Sequence, residues 1–157
     1  MIDPLAPNAH RFAPLPQSKL DTWSRFGNWD DVYFPSLVGL EVEELRTDYA
    51  RLRLPFRPEI TQPAGVVHGG AIATLVDAVV VPAVGTGYDG PMSYVTVNMH
   101  IDYLGAVAGV DAVAEGWIER RGRSLVFCRA EVRTRPKGAV AATAALTFMV
   151  RPTVAAD

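Results

Sequence analysis

Apolar and polar positions alternate with period two from Leu37 onward. Val38, Leu40 and Val42 are separated by Gly39 and Glu41, and beyond a polar turn at 46–48, Ala50, Leu52 and Leu54 are separated by Arg51 and Arg53. This rhythm predicts a β-hairpin with one wet face. Residues 55–67 carry Pro55, Pro58, Pro63 and Gly65, the composition of a loop. The period then changes. Residues 69–85 have few polar side chains and no polar stripe, which predicts a helix buried on all sides and wrapped by other elements. Pro82 is expected to kink or end its last turn, releasing the carbonyl of Ala78, and Gly85, Gly87 and Gly90 mark the exit.

Four strand-like runs follow. In the first, Val95, Val97, Met99, Ile101 and Tyr103 alternate with Thr96, Asn98, His100 and Asp102; the others cover 110–121, 123–134 and 138–150, punctuated by Gly109, Gly122 and Pro136-Lys137-Gly138. The last run contains AVAATAAL, as good a helix former as a strand former. Thr147, Phe148 and Val150 continue it as a strand, and six strands wrap a helix better than five. The expected fold class is α+β: an antiparallel sheet of five to six strands curled around a long central helix, in the order β-β-α-β-β-β-β. Edges of such a sheet commonly pair across a dimer. At the N-terminus, Pro4, Pro7, Pro14 and Pro16 predict an extended arm over residues 1–17. Ser18 is expected to cap a short helix that places Leu20, Trp23 and Phe26 on one face. Residues 1–35 are therefore read as an N-terminal extension and 36–152 as the main domain.

Composition narrows the function classes. The chain has 157 residues and a formal net charge of −2, with no long block of Lys and Arg, which argues against nucleic acid as a partner. The start, MIDPLAPNAHRF, has no basic segment leading into an apolar run, so no export is expected, and the apolar stretch around Asp77 is too short and interrupted to cross a membrane. Cys128 is the lone cysteine, which fits a reducing, cytoplasmic setting. Its alternation with Val126, Ala130 and Val132 marks it as core filler. His10, His68 and His100 lack paired spacing, and there is no HExxH, G-x-S-x-G or P-loop motif, so no metal or cofactor is expected.

Candidate chemistry centres on Asp77, set in the otherwise apolar run AIATLVDAVVVPAV at 71–84. Burying an ionised carboxylate there without partners would cost several kcal/mol. Nine residues earlier stands His68-Gly69-Gly70. Two glycines at a helix start leave backbone N–H groups open to a ligand. Together an acid and a set of donors suit acyl transfer, where one group attacks or activates water and the other meets the charge that develops on the carbonyl oxygen.

The segments Gly65-Val66-Val67-His68-Gly69-Gly70, Thr74-Leu75-Val76-Asp77, Val95 through Leu104 and Arg121-Gly122-Arg123-Ser124-Leu125-Val126-Phe127 resemble the hotdog-fold acyl-CoA thioesterases, in particular their PaaI-like branch. The resemblance spans residues 37–150 and implies a hotdog fold. It implies that the Gly69 amide polarises the thioester carbonyl and that Asp77 acts as nucleophile or general base. His68 takes a supporting role. Gln62 stands where the PaaI-like branch commonly has asparagine and some aryl-CoA members of the wider fold have glutamine; its amide could bond the carbonyl or the attacking water. Thr96 matches a serine or threonine near the attacked carbon and falls on the polar side of its strand. Gly70 belongs to the same substrate-binding turn, and Arg121, Arg123 and Ser124, beside Arg120, form a basic turn suited to the phosphates of coenzyme A.

Helix geometry adds one step. Gly69 and Asp77 would lie about 12 Å apart along the axis, too far to act on one carbonyl. The site is then shared, with Gly69 of one chain near Asp77 of another, as the resemblance also implies, in a homodimer or homotetramer. Trp23, Phe26, Trp29, Tyr33 and Phe34 either line a pocket for the acyl group or pack the arm. Two other functions fit the same fold: an acyl-CoA hydratase or dehydratase, whose Asp and His pairing matches the HGG-to-Asp77 pattern less well, and a non-catalytic acyl-CoA-binding module, which would have no need of a carboxylate.

Overall fold

The computed structural model describes residues 3–153. Its centre is a long helix lying on one face of a six-stranded antiparallel sheet. The main elements are α1 (Gln17–Trp23), α2 (Phe34–Val38), β1 (Glu41–Arg46), β2 (Tyr49–Leu54), α3 (Gly69–Gly85), β3 (Met92–Tyr103), β4 (Ala112–Arg121), β5 (Leu125–Thr134) and β6 (Val140–Pro152). Strand order is β1-β2-β4-β5-β6-β3, so the strand that follows the helix crosses to the far edge. This is the hotdog arrangement, and the ambiguous AVAATAAL run is a strand within it. Hydrogen-bonded to β5 on one side and β3 on the other, β6 gains two ladders, and tertiary pairing outweighs helix propensity.

The inward faces are those the alternation predicts. Ala50, Leu52 and Leu54 of β2, Val126, Cys128, Ala130 and Val132 of β5, and Ala142, Ala144, Leu146, Phe148 and Val150 of β6 share one core with Leu75, Val76, Val79 and Val80 of α3. Burial pushes the Cys128 thiol up to about 12, which leaves it protonated and unreactive. Gly116 on β4 lets the helix settle closely on the sheet, because a Cβ there would lie 2.8 Å from Val79 Cγ1 and 3.1 Å from the Val79 carbonyl carbon. Gly116→Val is expected to destabilise the fold by about 3 kcal/mol through overpacking, read as a lower midpoint in urea denaturation.

Several expectations are corrected. The hairpin does not begin at Leu37: residues 34–38 turn as α2, closed by Gly39 in the left-handed conformation at φ 79°, and the strand starts at Glu41. Pro35 in the first turn favours helix over strand. Ser18 does not cap α1, whose N-cap is Pro16. Nor does Pro82 end α3, which runs on to Gly85 and is closed by Thr86 N–H on the Pro82 carbonyl. The helix is also not buried all round. Gly70, Ala73, Thr74, Asp77 and Val81 form a stripe that the single chain leaves partly open.

The proline-rich arm packs rather than trails. Ala6, Ala9 and Phe12 cover Tyr49 and Trp117 on the sheet face opposite α3, where Asn8 donates to both carboxylate oxygens of Glu115 and the Tyr49 hydroxyl donates to one of them. Glu115 is 1% exposed, and burial raises its pKa. The arm then bridges β1 through Pro14 and Arg46 and crosses to the other face, where Leu20, Trp23 and Phe26 join the main core. Trp23 lies against Gly85, where any Cβ would overlap its indole.

Candidate active site

Position in the fold builds the site around α3 and β3. The lead-in loop is pinned by a bridge between Thr61 and Val67, and His68 N–H donates to the Ile60 carbonyl at 2.8 Å. His68 is the N-cap of α3. Its Nδ1 accepts the Gly70 N–H at 2.8 Å, so the neutral ring carries its proton on Nε2. This spends the Gly70 donor on the cap itself. The Gly69 N–H, by contrast, makes no hydrogen bond among the described residues. It is an unspent donor at the positive end of a helix dipole. Tyr103 on β3 secures this turn by donating its hydroxyl to the Gly69 carbonyl at 2.9 Å.

Asp77 lies two turns further along and is half-buried. Its Oδ1 accepts the Thr96 hydroxyl at 2.7 Å, while Oδ2 makes no hydrogen bond among the described residues. Thr96 therefore points to the helix and not, as alternation suggested, to the side of Asn98, His100 and Asp102. The reason is a β-bulge in β3 between Thr96 and Asn98. It adds a residue at Val97 and inverts the faces, so Thr96 shares the helix side with Met99, Ile101 and Tyr103. Asp77 opens into a cavity of about 330 Å³ whose walls include Phe26, Phe34, Pro35, Val81 and Met99. The sequence pattern put Met99 and Tyr103 on the apolar face without singling them out for this site, because which part of α3 they meet is set by tertiary packing.

The remaining predicted residues separate. Gln62 is half-buried in the lead-in loop, where its side-chain oxygen accepts the Ala64 N–H at 3.0 Å. Its amide hydrogens stay available as donors. Arg123 and Ser124 are exposed in the β4–β5 turn. Arg121 leaves that turn for the interior: it pairs with Asp48, donates to the Val84 carbonyl at 3.2 Å and stacks over Tyr88 at 4.5 Å. Its guanidinium is committed to closing the C-terminal end of α3. The structure thus brings Asp77 and Thr96 together, and His68, Gly69 and Gly70 together, about 12 Å apart on one helix.

Sequence comparison decides the family. A Halobacterium salinarum protein bearing the name "Putative esterase" is 30% identical over 110 residues, covering 67% of this chain and 72% of the relative. The thioesterase superfamily profile matches residues 64–141, which hold the His68 to Asp77 segment and β3 to β5. The chain belongs to the thioesterase superfamily. Among solved structures, a conserved Pseudomonas aeruginosa protein superposes with a TM-score of 0.72 at 28% identity, over 77% of this chain and 95% of that one. A Streptococcus pneumoniae thioesterase-family protein solved with coenzyme A has the same fold, with a TM-score of 0.67 at 21% identity over 73% of this chain and 88% of that one. As a superfamily member with an esterase-named relative, the chain is of the type that hydrolyses thioesters. Among the described residues no helix is long and apolar enough to cross a membrane.

Proposed function

We propose that this protein is a cytoplasmic acyl-CoA thioesterase of the PaaI-like branch, with Asp77 as the acid and the Gly69 amide as the carbonyl-polarising donor. The observation that carries this reading is Asp77 itself: a carboxylate held by Thr96 at the mouth of an apolar cavity, on a helix whose first N–H is unspent. Coenzyme A as the thiol portion draws support from the coenzyme A found in the S. pneumoniae fold relative. The exposure of Arg123 and Ser124 in their turn supports a role in meeting its phosphates, whereas the committed Arg121 is better suited to holding that region in place.

In the reaction the C–S bond of the thioester breaks and an oxygen from water ends on the acyl carbon. Asp77 either attacks the carbonyl carbon first, giving an anhydride that water opens, or takes the proton of an attacking water; the proton ends on the coenzyme A thiol. The Gly69 N–H stabilises the oxyanion, with Gln62 as a second donor and His68 holding the turn. The separation on α3 requires Gly69 of one protomer to meet Asp77 of its partner. An edge strand β3 with exposed Val95, Val97 and Leu104 supports such a homodimer, since bare apolar edges are otherwise a liability.

The test is release of free thiol from acetyl-, octanoyl- and phenylacetyl-CoA by the purified protein. Turnover of at least one is expected. Binding of all three with no thiol release would favour the acyl-CoA-binding alternative, and hydration of an enoyl-CoA would favour the hydratase.

A further inference from the structure

The cavity beside Asp77 has a wall that the thioesterase profile does not cover. Phe26 and Phe34 precede residues 64–141 and come from the N-terminal segment that crosses over α3. That segment is built to hold its shape. Phe26 is buried in the core, and Gly27 beside it adopts φ 83°, with a Cβ there lying 3.0 Å from the Leu40 carbonyl oxygen. Phe26, Trp29 and Tyr33 then stack edge to face at 5.2 and 5.5 Å. Beyond them α2 carries Phe34, closed by Gly39 and tied down by Arg57, which donates to the Leu37 carbonyl at 2.7 Å.

Along the cavity Asp77 is the one acidic group. The other polar side chain, Thr74, spends its hydroxyl on the Gly70 carbonyl of its own helix at 2.9 Å. What sits beside the carboxylate must therefore be apolar. Phe34 is nonetheless 60% exposed, a large ring that lines the same cavity as the carboxylate with its surface still wet. An apolar group entering the cavity would cover it.

Resting on the reading of Asp77 as the thioesterase acid, we propose that the aromatic segment from Phe26 to Val38 is the specificity element of this enzyme. Phe34, with Phe26 and Met99 on the same cavity wall, forms an acyl slot that selects thioesters with a bulky apolar acyl group, aryl or medium-chain, against acetyl. The chemistry is carried by α3 and β3, and the choice of substrate by the N-terminal extension. Pre-stacking the aromatic wall reduces the ordering that substrate binding would otherwise require.

The experiment compares wild type with Phe34→Ala, each checked by circular dichroism melting, on acetyl-, octanoyl- and phenylacetyl-CoA. Wild type is expected to prefer the two bulky substrates, and Phe34→Ala to lose about tenfold or more in kcat/KM on them while losing less on acetyl-CoA. Equal losses on all three, or an unchanged preference, would overturn the slot. A binding arm separates this from the chemistry. Non-hydrolysable thioether analogues, S-octyl- and S-ethyl-coenzyme A, are titrated by calorimetry into both proteins. The octyl analogue is expected to bind wild type about tenfold tighter, with that ratio falling in Phe34→Ala. Selective binding without hydrolysis would keep the slot and remove the thioesterase reading; hydrolysis with unselective binding would do the reverse.

Discussion

Asp77→Asn is expected to lower kcat on every thioester the protein hydrolyses by about a thousandfold. The substitution keeps the size of the side chain and leaves an amide oxygen to accept the Thr96 hydroxyl that now reaches Oδ1 at 2.7 Å. What it removes is the capacity to attack a carbonyl or take a proton from water. Asp77 is half-buried on the cavity wall and its second oxygen has no partner among the described residues, so the fold has little to lose from neutralising it. The thermal midpoint and KM should stay close to wild type while the rate collapses, a pattern expected of a group that acts in the transition state. A variant that released thiol at the wild-type rate would remove Asp77 from the mechanism.

Gly69→Pro is expected to cost about a hundredfold or more in kcat, because it deletes one oxyanion donor. The position is unusually suited to the change. Gly69 is the first residue of α3, where proline is favoured since its missing N–H has no helical partner. His68 already has φ −61° and ψ 139°, the extended geometry that proline demands of its predecessor. A Cβ at Gly69 would lie 3.6 Å from the Tyr103 ring, an ordinary contact. The variant should fold and bind but turn over slowly. Combined with Asp77→Asn, it also tests the shared site. In a mixed dimer, the intact Gly69 of one protomer would face the intact Asp77 of its partner, and that site would work. Co-expressing the two inactive variants should then restore roughly a quarter of wild-type activity, since about half of randomly assembled dimers are mixed and each has one good site. No recovery in dimers shown by mass spectrometry to be mixed would mean that each chain carries its own complete site.

Different parts of the molecule were legible to different degrees. The boundaries of α3 follow from the glycines at its ends and a largely apolar run, and β4, β5 and β6 follow from their alternation and the turns between them. These are local signals, and the structure keeps them. Strand β3 is the instructive exception. Its alternation is the clearest in the chain, yet a bulge at Val97 puts Thr96 on the helix side with Met99 and Tyr103, and Val95 on the other. A bulge leaves no mark in hydrophobic period when the residues on both sides of it are mixed. Arg121 reads as part of a basic turn but closes the helix C-terminus, because Asp48 from the β1–β2 turn and Tyr88 from the α3 exit lie next to it only in three dimensions. The alternation read from Leu37 onward starts too early, because Pro35 with a left-handed Gly39 makes residues 34–38 a helix.

What the sequence by itself determined is the chemistry's parts and their spacing along the chain: an acid in an apolar helix, a glycine pair behind a histidine cap, and the strand rhythm that must wrap them. Periodicity and propensity are properties of neighbours in sequence, so they can be read there. Only the tertiary structure decided which groups meet. It set Thr96 on Asp77, turned Arg121 inward, and laid Phe26 and Phe34 across the cavity. Those contacts join segments far apart in the chain, and their partners are chosen by packing and hydrogen-bond satisfaction across the whole fold.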